Sequence, residues 1–356
     1  MNAFFFVVDD KLVDIASAQA LNLVKNWDCD VHIFVERKNS TQKNIEVNIS
    51  EKIYYHYDKL IQFLPPDLPI SNSWPHIVYL RIFAPKILKK YDRLLYLDAD
   101  VLSLDSNPEI WSAVIPSGLG ASTDYGVLIQ PIPPFEKMSR VEWLESLGIK
   151  SGKYFNSGVI LIDVHKWLEF DFSSSMSDYF RRHPNVRCFD QDFLNYFFDG
   201  DWTDIGPRYN YQAPLLNTGL SKFIRPIFVH FNQGEKPWHG WYRAGETNLD
   251  PFFGKTYEAL LKEVGVSSRK YKRKNILKPF YTIKANFRAF ISKMGLRSKS
   301  EIRSTYRFHE NQRMFLSYFK GSNHSYDYDS DVETDAHYFD GVNIRAIFQR
   351  SLEKLP

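Results

Sequence analysis

An α/β fold that opens with a parallel strand–helix–strand unit is what this sequence predicts, on three observations. Short apolar runs recur at residues 4–8, 31–35, 94–97, 118–122, 157–162 and 227–231. The unbroken ones suit strands buried on both faces. Stretches with helical spacing separate several of them, the alternation that builds βαβ units. Aspartates follow two of the runs at once, Asp9 and Asp10 after the first and Asp98 and Asp100 after the third.

The first helix is expected over about residues 13–24, with Ile15, Ala18, Leu21 and Leu23 as its apolar positions. The run 31–35 then completes the unit. Residues 74–90 read as a second helix, with Ile77, Leu80, Ala84, Ile87 and Leu88 on one side. Pro75 suits its first turn, whereas Pro85 predicts a kink or an interruption. Lys89 and Lys90 complement the helix dipole at its end. A further helix occupies residues 192–198, and 227–231 ends the strand series. The catalytic unit is assigned to residues 1–265, a basic segment to 266–320 and an acidic tail to 321–356.

With 44% hydrophobic and 24% charged residues, the composition is that of a globular protein. Two cysteines, Cys29 and Cys188, make neither a disulfide framework nor a zinc motif, which fits a reducing compartment. The apolar run 3–8 lacks the length and basic flank of a secretion signal. No stretch approaches the roughly 20 apolar residues that span a bilayer. A cytoplasmic location is expected.

The net charge of +3 conceals a segregation, because residues 267–303 hold twelve Lys or Arg and one acid, Glu301. That local +11 leaves the remainder near −8. Within it, Phe280, Ile283, Phe287, Phe290, Ile291 and Met294 share one helical face, and Lys284 and Arg288 another. This pattern predicts a helix lying on an anionic membrane surface, making the protein peripheral on the inner face of the plasma membrane. Nucleic acid is not expected as a partner, since no motif accompanies the charge. The alternating acids Asp327, Asp329, Asp331, Glu333 and Asp335 lack the mid-loop glycine of a calcium site and read as a solvated tail.

In open α/β sheets, ligands bind beyond the carboxyl ends of the strands, where strand order reverses. Both aspartate pairs stand at such ends. Carboxylates at i and i+2 beyond a buried strand are costly unless a cation meets them. Hard oxygen ligands suit Mg²⁺ or Mn²⁺, which bridge phosphate oxygens. His230, ending an apolar run, can add a nitrogen ligand, and Lys236 on the following loop can neutralise a diphosphate.

The runs FVVDD, RLLYLDADVL, YFNSGVILID, FDQDFLN and HFNQGEKPW occur in the order seen in family 8 glycosyltransferases, and the resemblance covers roughly residues 3–241. These are retaining enzymes that include bacterial lipopolysaccharide galactosyl- and glucosyltransferases and glycogenin. The resemblance implies a single Rossmann-like nucleotide-sugar-binding domain of the GT-A type, with the basic segment as a helical extension. It implies Asp98, Asp100 and His230 as ligands to Mn²⁺ or Mg²⁺. Asp9 resembles the uracil contact, with Val7 and Val8 beneath it, and Arg81 the donor-site arginine. Asn156 and Asp190 resemble contacts to the donor sugar. Gln191 resembles the residue under the anomeric carbon, Lys236 the phosphate-binding lysine and Asp124 an acceptor-side aspartate. Two departures stand out. Lys11 and Leu12 replace the Asn and Tyr that many members pack on ribose and base, and Gln233 replaces a usual glycine.

The expected reaction moves galactose or glucose from a UDP-hexose to a glycan acceptor, and the basic segment favours a lipid-linked one such as lipopolysaccharide core. An amide at Gln191 is a poor nucleophile, which favours front-face attack over double displacement. The alternatives are an autoglycosylating initiator and a non-catalytic UDP-sugar-binding protein.

Overall fold

The computed structural model describes residues 1–37, 49–66, 68–70, 76–129, 138–216, 218–232, 236–239, 251–272 and 310–319, with Ile283, Phe287, Phe290 and Met294 as single positions. The strands among them are β1 (Asn2–Asp9), β2 (Asp30–Glu36), β3 (Ile53–Tyr57), β4 (Arg93–Leu97), β5 (Val101–Ser103), β6 (Leu119–Thr123), β7 (Phe155–Asp163), β8 (Thr203–Asp204), β9 (Tyr211–Gln212) and β10 (Phe228–His230). Seven form the main sheet in the order β3-β2-β1-β4-β7-β6-β8. β1 runs parallel to both β2 and β4, and β2 runs parallel to β3. β7 runs antiparallel to β4 and β6, so the sheet is mixed. A smaller sheet, β5-β10-β9, stands beside it.

Both faces of the main sheet are covered, as the unbroken apolar runs require. Phe4, Phe6 and Val8 of β1 enter one core with the helices Val13–Trp27 and Pro251–Glu263. The alternate residues Ala3 and Phe5 enter the other, with the helices Phe172–Arg182 and Asp190–Phe198. The helix Val13–Trp27 ends at Asp28, which takes a left-handed φ of 52°. It is held to the small sheet through Ser103, whose carbonyl accepts from Asn22 Nδ2 at 2.8 Å and whose hydroxyl accepts from Trp27 Nε1 at 3.1 Å.

The helix expected over 74–90 is not continuous. Trp74 and Pro75 lie outside the described residues, and the remainder divides into the helix Ile77–Leu80, a turn through Arg81, and the 3-10 segment Ala84–Lys86. Pro85 is the cause: it has no N–H for the carbonyl of Arg81, four residues before, and its ring crowds that carbonyl. Arg81, in the turn between the two pieces, is buried.

Residues 270–271 and 310–319 pack on the α/β part of the chain. Lys270 Nζ lies 2.6 Å from Asp14 Oδ2, and the Tyr271 hydroxyl donates to Asp14 Oδ2 at 2.9 Å. Residues 310–319 are helical, with Phe315 and Phe319 fully buried against Tyr125. Phe280, Ile291 and the acidic tail 321–356 lie outside the described residues. No described helix is long and apolar enough to cross a membrane.

Candidate functional site

Strand order reverses between β1 and β4. β2 follows β1 in sequence and pairs on its far side, while β4 pairs on the near side. The register pairs Phe5 with Tyr96, so the carboxyl ends of both strands open on one edge. Asp9 ends β1, with half-buried Val7 and buried Val8 below it, and accepts from the backbone N–H of Lys11 at 3.1 Å. Beside it, Asp10 Oδ1 is buried with no hydrogen-bond partner among the described residues.

Asp98 follows β4, and its backbone N–H donates to the carbonyl of Gly158 on β7 at 2.8 Å. Asp100 immediately precedes β5, and β5 pairs with β10 so that Val101 faces His230. The small sheet therefore delivers the histidine to the aspartates. One ligand atom from each of Asp98, Asp100 and His230 lies within 4.8 Å of the others. His230 Nε2 is 3.3 Å from Asp100 Oδ1 and 3.7 Å from Asp98 Oδ2. Two hard carboxylates and one imidazole are a donor set that fits Mn²⁺ or Mg²⁺, and three ligands would leave positions for phosphate oxygens. Lys236 Nζ lies 2.5 Å from Asp100 Oδ2 and donates to the carbonyl of Phe231 at 2.6 Å. Burial raises the Asp100 carboxyl, but Lys236 and His230 outweigh it and hold the group below the usual carboxylate range. Gln233 and Gly234, in the same loop, lie outside the described residues.

Arg81 joins this group to the next. Its NH1 is 3.0 Å from Asp98 Oδ1 and its Nε 3.2 Å from Asp190 Oδ2. NH1 also donates to the carbonyl of Ser157 at 3.1 Å, and the guanidinium lies 4.5 Å from the centre of the Tyr96 ring. Tyr96 itself donates to Asp98 Oδ1 at 2.5 Å. One guanidinium thus serves two carboxylates. Burial, offset by Arg81 and reinforced by Asp98, pushes the Asp190 carboxyl up to about 7. The residue before it, Phe189, has a φ of 39°, a conformation that favours glycine.

The remaining sequence-predicted residues form a polar network in which Asp124 and Asn156 are buried and Gln191 is half-buried. Asp124 Oδ2 accepts from Asn156 Nδ2 and from Gln191 Nε2, both at 3.1 Å. Gln191 Oε1 accepts from the backbone N–H of Ser157 at 2.9 Å. Asp98, Asp100, His230, Lys236, Arg81, Asp190, Gln191, Asn156 and Asp124 are therefore one connected assembly, and Asp9 lies beside it at the end of the neighbouring strand. Sequence reasoning missed Tyr96, Ser157, Gly158 and Asn210. Tyr96 was open to discovery, since i and i+2 share a strand face. Asn210 carried no signal of spacing or charge.

A family model described as glycosyl transferase family 8 matches residues 11–242. General stress protein A of Bacillus subtilis is 27% identical over 206 residues, covering 50% of this chain and 67% of that protein. The lipopolysaccharide 1,2-glucosyltransferase of Escherichia coli is 28% identical, covering 49% of this chain and 52% of that protein. The lipopolysaccharide 1,3-galactosyltransferase of Salmonella typhimurium is 29% identical with the same two coverages. This chain thus spans about half the length of those two transferases. Among solved structures, the galactosyltransferase LgtC in complex with donor and acceptor sugar analogs superposes with a TM-score of 0.56 at 22% identity, covering 74% of this chain and 95% of that one. That likeness concerns the fold, which is of the GT-A type. With the family model matching more than half of its length, the chain belongs to glycosyltransferase family 8.

Proposed function

We propose that this protein transfers a hexose, galactose or glucose, from a UDP-sugar to a glycan acceptor with retention of anomeric configuration. The observation that carries the reading is the convergence of Asp98, Asp100 and His230, with Lys236 against them, where strand order reverses. The names of the lipopolysaccharide glucosyl- and galactosyltransferases that the chain resembles support the two sugars and a lipopolysaccharide-type acceptor.

A divalent cation held by Asp98, Asp100 and His230, Mn²⁺ on this reading, would supply Lewis acidity toward the departing diphosphate. The chain's own residues do the rest. Lys236 adds positive charge beside the diphosphate, and Asp9 receives the uracil edge. Asn156 and Asp190 orient the sugar hydroxyls. Gln191 lies under the anomeric carbon with its amide held at both ends, by Ser157 N–H and by Asp124. So held, and neutral, it favours front-face attack, in which the leaving phosphate oxygen receives the acceptor's proton. Asp124 is assigned to the acceptor side. Trapping of a covalent glycosyl-enzyme on Gln191 or Asp190 would exclude the front-face route.

The deciding experiment is calorimetric titration of UDP into the protein with Mn²⁺ and then with chelator, repeated on Asp100→Asn. Removing the metal or the carboxylate is expected to weaken UDP binding by at least about tenfold, the loss of one charge-assisted contact. Binding indifferent to both would make the strand-end aspartates structural and defeat the reading.

The basic segment is assigned to an anionic membrane surface, with the protein peripheral on the cytoplasmic face. In support, Ile283, Phe287, Phe290 and Met294 recur at helical spacing and are each 59–69% exposed.

A further inference from the structure

Asn210 is completely buried, immediately before β9, and belongs to no group assigned a role above. Its two amide atoms face two different parts of the site. Asn210 Nδ2 donates to Asn156 Oδ1 at 3.0 Å. Asn210 Oδ1 lies 3.1 Å from His230 Nδ1.

The orientation of this chain of bonds is fixed from one end. The backbone N–H of Gly158 can only donate, and it does so to Asn156 Oδ1 at 3.1 Å. At the other end of the same side chain, Asn156 Nδ2 donates to the Asp124 carboxylate. Asn156 Oδ1 must therefore accept from Asn210, which turns the Asn210 oxygen toward His230. An amide oxygen only accepts, so His230 Nδ1 carries the proton. In the neutral ring that ligates a cation, the lone pair is then on Nε2, the nitrogen that faces Asp98 and Asp100. A metal-ligating histidine needs this arrangement, in which its second nitrogen donates and so fixes the ring and the tautomer.

We infer that Asn210 is a positioning residue that sets the His230 tautomer for the cation and, through Asn156, ties the cation site to the sugar contacts. The inference rests on the transferase reading above. It assigns one side chain two separable jobs. The oxygen serves the cation, and the N–H serves the sugar.

The two jobs can be parted by substitution. Asn210→Asp keeps an acceptor for His230 Nδ1 but loses the donor to Asn156 Oδ1. Asn210→Ala loses both. Mn²⁺ binding is read without substrate, from the electron paramagnetic resonance of free Mn²⁺. Binding of UDP, UDP-glucose and UDP-galactose is read by calorimetry, and thermal melting checks the fold. For Asn210→Ala, Mn²⁺ affinity is expected to fall about 10–100-fold, the usual loss when a histidine's supporting partner is removed. Asn210→Asp is expected to bind Mn²⁺ within about threefold of wild type. It should nonetheless lose about tenfold of whatever affinity the hexose adds to UDP, as for one buried hydrogen bond. Wild-type Mn²⁺ affinity in Asn210→Ala overturns the inference, as does equal loss of Mn²⁺ binding in both folded variants. Wild-type protein that binds neither Mn²⁺ nor UDP overturns the transferase reading itself, and the two failures are thereby told apart.

Discussion

At Gly158 the backbone of β7 passes directly beneath the His230 ring. An added Cβ would meet His230 Cε1 at 2.2 Å and Asp98 Oδ2 at 2.8 Å, closer than real Cβ contacts come. Neither neighbour is a flexible chain end, since His230 is buried and held by Asn210. Gly158→Ala is therefore expected to displace the histidine and lower Mn²⁺ affinity by at least about tenfold, comparable to losing its supporting partner. The crowding should also cost about 1–3 kcal/mol of stability. Mn²⁺ titration with denaturant unfolding checks both, and a variant that binds Mn²⁺ like wild type would contradict the packing argument. Asp98, Asp100 and His230 were legible in sequence because carboxylates and an imidazole beside apolar strands carry a visible electrostatic cost. Gly158 and Asn210 were not, because their roles depend on which strands lie side by side. Arg81 is marked in the sequence only by the family resemblance, because its bridge between Asp98 and Asp190 depends on how the turn packs against β4 and the helix Asp190–Phe198.

The strands explain a second, unassigned cluster. β2 and β3 pair in parallel, and their cross-strand neighbours bring His32 Nδ1 to 2.9 Å from His56 Nε2. His32 Nε2 lies 2.9 Å from the Tyr91 hydroxyl, which donates to Asp30 Oδ2 at 2.5 Å. Lys90 lies over the Tyr91 and Tyr54 rings, and Tyr54 stacks on His32. Burial, with help from His56 and Lys90, lowers His32 to about 3, and burial also lowers His56. A depressed histidine stays neutral in the fold while the unfolded chain takes up a proton near pH 6.5. Stability from this source is present above pH 6.5 and is lost as pH falls toward 3. Each such proton contributes a slope of about 1.4 kcal/mol per pH unit. Denaturant unfolding between pH 7 and pH 4 should show this decline, and His32→Gln should flatten it; an unchanged slope in the variant would assign the decline elsewhere. β1, β2, β4 and β7 were readable from their apolar runs. β3 was not, because it is an edge strand in which only Ile53 is buried.

The charge segregation read from the chain gives a prediction for the protein as a unit. Deleting everything beyond residue 265 would strip Lys270, Tyr271 and the helix at 310–319 from the catalytic unit, so substitution is the cleaner test of membrane association. Phe287→Glu with Phe290→Glu changes two exposed side chains and leaves those contacts in place. Co-sedimentation with vesicles containing anionic lipid is expected to fall severalfold while UDP binding is unaffected, because each buried ring contributes about 1.5–3 kcal/mol. Vesicle binding equal to that of wild type would remove the membrane assignment. The amphipathic spacing was visible in sequence; the docking of Phe315 and Phe319 on Tyr125 was not, because it depends on a distant surface.

The segment's two ends land on different parts of the site. At 270–271, Lys270 grips Asp14 and the Tyr271 hydroxyl lies 3.2 Å from the Lys11 carbonyl, two residues from Asp9. At 310–319, the Tyr318 hydroxyl lies 2.7 Å from Thr123 Oγ1 while Phe315 and Phe319 cover Tyr125, on either side of Asp124. A body tethered to a surface through one point can swivel, and its opening then faces every direction in turn. Fastened at two separated points, it keeps one bearing toward that surface. On the membrane reading, two attachment points would limit how far the crevice can turn away from the headgroups, and an acceptor anchored there would meet it from one side.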